Sequence, residues 1–382
     1  MKINQEVVNK VLEILPNFEC PEYDVKAIED IFNQIKSVLD QGKVKVEKSK
    51  YEIENYFIRY YFRPASVSAL KKAMRLVDDI KLHLQCLSVR ACLKEDCVCF
   101  EVVNPQRNQV GLKELLGQAV QDEKENGCYF VLGKAQGQAL NCDITKMPHL
   151  LIGGATGSGK SILIHEIITS LITRYSPDQL KLLLVDPKGV EFAVYDGLPH
   201  LLNGHFLMEG EQVFLALEKL IEEMNNRYEC FAKCALKSID EYDKYAEEFN
   251  KEKLPRIVAV IDEFADFTCI NKKEFEKLVF NLTVKCRAAG IYLILSTQRP
   301  SKDTITPLIR SGLPSRIACK LTSMADSKLL IDEKGAERLI GWGDLLYKSV
   351  AMIEPIRALA GYIGNKEIKN VVSIVKNQYQ EN

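Results

Sequence analysis

The chain has 382 residues, 47% of them hydrophobic and 27% charged, with a formal net charge of −1 at pH 7. That composition suits a soluble globular protein of two or three domains, and near-neutral charge means that any nucleic-acid or membrane contact must be local. No apolar run approaches the about 18 residues of a membrane span, and the N-terminus lacks the apolar core of a secretory signal, so a cytoplasmic location is expected.

Residues 1–45 carry two helical stripes, separated by Pro16 and Pro21. The first is Val7, Val8, Val11, Leu12 and Leu15; the second is Ile28, Ile31, Phe32, Ile35, Val38 and Leu39. Residues 46–143 read as a small α+β domain. It has a strand over Tyr51–Phe62, helical spacing from Val67 to Leu87, two short strands about Lys94-Glu95-Asp96, and a helix from Leu112 to Asp122. The twelve cysteines are expected to be reduced, buried thiols. Cys86, Cys92, Cys97 and Cys99 cluster without C-x-x-C spacing and read as structural rather than as a zinc site.

Residues 144–382 change to parallel-sheet grammar. Strands are expected at His149–Ile152, Lys181–Val185, Arg256–Ile261, Ile291–Ser296 and Ile317–Leu321, nearly all apolar as in a sheet covered on both faces. The charged segment 209–250 reads as helix with a solvated face, and an amphipathic helix, Asn365–Tyr379, follows the last strand.

The first strand, entered through Pro148, runs into Gly154-Ala155-Thr156-Gly157-Ser158-Gly159-Lys160-Ser161, and a helix from Ile162 to Tyr175 follows. This is the phosphate-loop pattern G-x-x-x-x-G-K-[ST] in the context that it requires, and it predicts nucleoside triphosphate binding. Backbone N–H groups would wrap the phosphates, Lys160 would reach the β/γ-phosphates, and Ser161 would offer a hydroxyl to Mg²⁺. The strand Ile257–Ile261 ends in Asp262-Glu263, 102 residues after Lys160. Asp262 is expected in the Mg²⁺ shell and Glu263 as the base that polarises water. A strand ending in Thr297-Gln298-Arg299 and lying between these two would bring Gln298 to the γ-phosphate; Arg299 reads as a surface residue. Asp186-Pro187-Lys188 ends another strand at the same edge, its role open.

Asp186-Pro187-Lys188, Asp196 to Leu202, Asp262-Glu263-Phe264-Ala265-Asp266, Thr297 to Ser301 and Gly335 to Tyr347 together resemble the FtsK/SpoIIIE family of DNA-pumping motors, and the likeness covers most of the chain. The resemblance implies a RecA-like P-loop NTPase domain, mostly parallel sheet with helices on both faces, preceded by the family's small domain. It implies ATP and Mg²⁺ as ligands and a homo-oligomeric ring, a hexamer, that threads double-stranded DNA. Arg316 matches the family position whose arginine reaches a neighbouring subunit's nucleotide, with Arg227 as runner-up. Lys328 and Arg338 match the regions turned towards DNA phosphate. The family's membrane segments and its C-terminal module for orienting sequences have no counterpart here, which points to a plasmid, phage or conjugative element. A conjugative coupling protein and a type VII secretion-like polypeptide motor are the alternatives.

Overall fold

The computed structural model describes residues 1–18, 22–54, 56–86, 88–94, 96–104, 109–119, 127–147 and 149–380. Pro21, Leu87, Glu95 and Pro148, given roles above, lie outside them, as do residues 120–122 of the expected helix. Among the described residues no helix is long and apolar enough to cross a membrane.

The two N-terminal stripes form helices but go to different places. Helix α1 (Gln5–Ile14) starts on an Asn4 side-chain cap, and the Asn4 backbone N–H donates to the Arg174 carbonyl at 2.7 Å. Its Val7 and Val11 are buried with residues of the C-terminal half, so α1 belongs to the second domain. Helix α2 (Val25–Gln41), capped by Asp24, instead buries Ile28, Ile35, Val38 and Leu39 against the small domain. The expected single strand over Tyr51–Phe62 is a hairpin, β1 (Val46–Ile53) and β2 (Phe57–Pro64). Its turn has neither Gly nor Pro, the usual punctuation. Helices α3 (Val67–Arg75) and α4 (Val77–Leu84) and strands β3 (Val89–Lys94) and β4 (Cys97–Val103) complete an antiparallel sheet in the order β1-β2-β4-β3. One face, with Ile58, Tyr60, Phe62, Val98, Phe100 and Val102, packs under the helices. The period of two sends Arg59, Arg90 and Glu101 to the other face, where they too are buried. Cys92 lies opposite Cys99 in that sheet and packs with Tyr61, while the Cys86 thiol faces the Ser88 carbonyl.

Helix α5 (Leu112–Ala119) and strands β5 (Tyr129–Ala135) and β6 (Gln138–Asp143) depart from the expected boundary at 144. They join the large sheet through a β5–β13 pairing, once β13 (Ile356–Leu359) is in place. The other strands are β7 (His149–Gly153), β8 (Leu180–Val185), β9 (Arg256–Ile261), β10 (Ile291–Thr297), β11 (Ser315–Cys319) and β12 (Asp344–Lys348). Their order is β6-β5-β13-β12-β11-β7-β10-β9-β8. The five expected strands form its parallel part, β11-β7-β10-β9-β8, and four antiparallel strands extend it.

Both faces of the parallel part are covered, and successive residues alternate between two cores. Leu150, Leu182, Val258 and Ile294 pack against α6 (Lys160–Arg174), α12 (Asn365–Gln380) and α1. Leu151, Leu183, Ala259 and Leu293 pack against α7 (Gly210–Lys233) and α9 (Ala265–Lys285). The charged segment 209–250 is α7 followed by α8 (Ile239–Glu248).

Glu166 of α6 is fully buried, and its carboxylate oxygens make no hydrogen bond of good geometry among the described residues. Burial pushes its pKa well above 4.5, and the N–H groups of Gly361 and Gly133 offset this only in part. Above pH 4.5 the unfolded chain releases this proton while the folded chain keeps it, so the group's contribution to stability declines as pH rises. Glu166→Gln removes the titration. Its melting temperature relative to wild type should climb between pH 5 and 8; a difference independent of pH would refute the assignment.

Candidate nucleotide-binding site

Strand β7 leads straight into the glycine loop, which backbone bonds hold to its neighbours. Gly154 N–H donates to the Thr297 carbonyl at 3.2 Å and Ala155 N–H to the Lys320 carbonyl at 2.9 Å. Gly157 and Gly159 have φ of +76° and +96°, conformations that favour glycine. At Gly159 space also forbids a side chain, because a Cβ would lie 2.2 Å from the Gly343 nitrogen. No side chain caps α6, so its first N–H groups are available to an anion.

Lys160 is buried and donates to Asp262 and, at 3.1 Å, to Ser296 Oγ; Ser296 Oγ in turn donates to Asp262. The three come from α6, the end of β9 and the end of β10. The order β7-β10-β9 places the Gln298 strand between the loop strand and the acidic strand, as expected. Glu263 has φ of +46°, strained for a side chain of its size, and is 4% exposed. Its Oε1 accepts from Thr297 Oγ1 at 2.7 Å and its Oε2 from the Gln298 backbone N–H at 2.9 Å. The Gln298 side chain accepts from Thr156 Oγ1 of the loop at 3.0 Å, so loop, amide and carboxylate are one connected set. Arg299 is exposed.

Beside the loop lies a cavity of about 370 Å³, lined by Ile162, Trp342, Tyr362, Tyr56 and Val110. Its apolar and aromatic walls suit a flat heterocycle.

The cations expected further out have other neighbours. Arg316 is opposite Leu151 on β7, and its guanidinium donates to Asp332 at 2.5 Å, to the Leu313 carbonyl and to that of Arg310 in α10 (Pro307–Gly312). Burial, and after it Arg310, pulls its pKa down to about 10, which leaves it a cation at neutral pH. Arg227, on α7, is 3% exposed, paired with Glu223 at 2.7 Å and bonded to the Ala289 carbonyl at 2.8 Å. Lys328 is exposed on α11 (Met324–Ile331). Arg338 is half-buried and pairs with Asp78 of α4 at 3.1 Å, so it spans the two domains of its own chain.

The sequence model of the FtsK/SpoIIIE family matches residues 112–302, from the start of α5 to just beyond β10. The chain belongs to the FtsK/SpoIIIE family. It is 39% identical over 345 residues to the DNA translocase FtsK of Streptococcus pneumoniae (strain ATCC BAA-255 / R6), covering 88% of this chain and 45% of that protein. To the DNA translocase SpoIIIE of Bacillus subtilis (strain 168) it is 34% identical over 380 residues, covering 96% of this chain and 48% of that one. The chain therefore spans less than half the length of these relatives. In fold it is similar to the pCW3 conjugation coupling protein TcpA in monomer form with ATPγS (TM-score 0.64, 20% identity, 91% of this chain and 99% of that one). It is also similar to the cytoplasmic domain of the Thermomonospora curvata type VII secretion ATPase EccC (TM-score 0.61, 23% identity, 70% and 34%).

Within this FtsK/SpoIIIE chain, the structure adds residues that the motifs do not reveal. Glu191 accepts from Ser161 Oγ at 2.8 Å and faces His165 Nε2 at 3.3 Å; the histidine first, and Ser161 as well, lower its pKa. Asp186 is buried and accepts from the backbone N–H groups of Lys188, Glu191 and Phe192, which holds Glu191 in place. The Asp186-Pro187-Lys188 turn is thus a support for the loop's serine. Tyr362, one of the cavity's aromatic walls, lies outside every motif read in the sequence.

Proposed function

We propose that this chain is an ATP-driven motor that moves along double-stranded DNA as a hexameric ring, serving a plasmid, phage or conjugative element. The observation that carries the reading is the joined set Lys160, Asp262, Glu263 and Gln298 on three adjacent strand ends, in a chain whose relatives are named DNA translocases.

The loop N–H groups and the start of α6 bind the phosphates, and Lys160 moves from Asp262 to the β/γ oxygens. Ser161 and Asp262, both oxygen donors, are the residues to hold Mg²⁺, which neutralises developing charge when bound. Glu263 takes the proton of the attacking water, and Gln298, tied to Thr156, orients that water. The base lies in the cavity with Trp342 and Tyr362. Lys328 meets DNA phosphate, a contact without sequence information.

The test is ATP hydrolysis with and without linear duplex DNA, with Lys160→Ala as the blank. Stimulation by DNA is expected, and turnover indifferent to DNA would sink the reading. Arg316 completes a neighbour's site once it leaves Asp332. Arg316→Ala should lower turnover about a thousandfold, a usual order for such arginines, while sparing nucleotide binding. In mixed rings it should silence the adjacent wild-type site. Activity of mixtures that falls only in proportion to the variant added would place Arg316 outside the shared site.

A further inference from the structure

A buried ionic bridge runs from the small sheet to the glycine loop, and the nucleotide chemistry above does not use it. Glu101 of β4 accepts from Arg59 Nε at 3.0 Å and from an Arg90 guanidinium N–H at 3.1 Å, both on neighbouring strands of the small sheet. It also accepts from Arg357 of β13 at 3.3 Å. Arg357 is fully buried, lies over the Phe57 ring at 3.8 Å, and grips Asp344 of β12 with two bonds of 2.9 and 2.7 Å. Burial works against charge on Glu101, but Arg90, Arg357 and Arg59 outweigh it and hold its pKa at about 2.

Asp344 is the last carboxylate before the loop. Its Oδ2 accepts from the Ile340 N–H at 2.9 Å, and its own N–H donates to the Gly341 carbonyl at 3.1 Å. The segment Gly341-Trp342-Gly343 hangs between these bonds with φ of +93°, +58° and +92°. The two glycines adopt such angles freely, but Trp342 between them persists there only where its surroundings hold it. The segment bears directly on the phosphate loop: Gly343 N–H donates to the Ser158 carbonyl at 3.1 Å, and it fills the space in which a Gly159 side chain would stand. Trp342 also walls the base cavity beside Tyr56 and Val110, which come from the N-terminal side of the chain.

Buried ion networks are poor stabilisers, because desolvation offsets the attraction, and their best-attested use is to specify one geometry. We propose that Glu101, Arg357 and Asp344 are positioning residues for nucleotide binding, through which the small domain sets how the Gly341–Gly343 segment rests on the phosphate loop. The inference rests on the nucleotide reading of that loop.

The full chain tests it with three variants. Glu101→Gln keeps shape and loses charge; Arg357→Lys keeps charge and loses the two-pronged grip. Val98→Ala damages the small-domain core away from the bridge, as a control for lost stability. Calorimetric titration with ADP and Mg²⁺ should show affinity about tenfold weaker in both bridge variants, the order seen when a supporting shell is removed. Amide exchange without nucleotide should be faster over residues 340–344 in the same two, since the Gly343 N–H loses its seat on Ser158. Val98→Ala should move neither quantity. If Glu101→Gln does not fold, Arg357→Lys alone decides. Wild-type affinity and exchange in a bridge variant, or equal changes in Val98→Ala, would overturn the proposal. If the wild-type chain binds no ADP, it is the nucleotide reading that fails, a distinguishable result.

Discussion

Glu263→Gln should lower ATP turnover by about three orders of magnitude, within the 10²–10⁴-fold range of a lost general base, and leave nucleotide affinity within about twofold. The substitution keeps the side chain's length and one acceptor oxygen. Glu263 makes its two contacts as an acceptor, from Thr297 Oγ1 and from the Gln298 N–H. An amide can keep both, its oxygen accepting from the Gln298 N–H and its nitrogen donating to the Thr297 hydroxyl, so the variant loses the base and keeps the geometry. The strained φ of +46° places this carboxylate beside Gln298, and that strain serves no evident packing purpose. Single-turnover hydrolysis, with binding measured separately, is the check; a loss of less than about tenfold would remove Glu263 as the base.

Lys160→Ala should abolish nucleotide binding and, in addition, lower the melting point of the nucleotide-free protein. The second effect follows from the pairing of Lys160 with Asp262, whose residues are 3% and 4% exposed. Removing one partner of a buried pair strands the other charge, at a cost of roughly 3–5 kcal/mol. Ser296 still donates to Asp262, so the loss should fall at the low end. The double variant Lys160→Ala/Asp262→Asn should regain most of the melting temperature and none of the binding. If the single variant melts like wild type, the Lys160–Asp262 pair is not a feature of the protein in solution.

Much of the site was legible because its determinants are local. A glycine loop, its lysine and the following helix are set by backbone angles and by helix ends, and they declare themselves within a dozen residues. The position of β10 between β7 and β9 followed from the chemistry expected of Gln298. What escaped depends on distant partners. Strands β5 and β6 read as small-domain elements because β13, which ties them to the large sheet, lies more than two hundred residues later. Arg357 lies in no motif, and only Glu101 and Asp344 together make its burial tolerable. Arg227 sits in a charged helix whose pattern does not tell which face the core covers. Glu191 carries no motif; a buried Asp186 and a serine 30 residues earlier in the chain give it its place.

The separate destinations of α1 and α2 have a topological consequence. Because α1 packs with α6 and α12 while α2 belongs to the small sheet, the small domain is an insertion within the domain of the nine-stranded sheet. Its two points of attachment lie side by side: the Phe18 ring stands where a Gly111 side chain would be, with a Cβ there only 2.5 Å from it. An exchange at these adjoining ends cuts no strand of the host sheet, but the incoming domain must supply a carboxylate where Glu101 meets the buried Arg357. A fragment begun at 144 would instead bare the edge of β13 and lose α1, whereas joining 18 to 109 leaves the nine-stranded sheet whole.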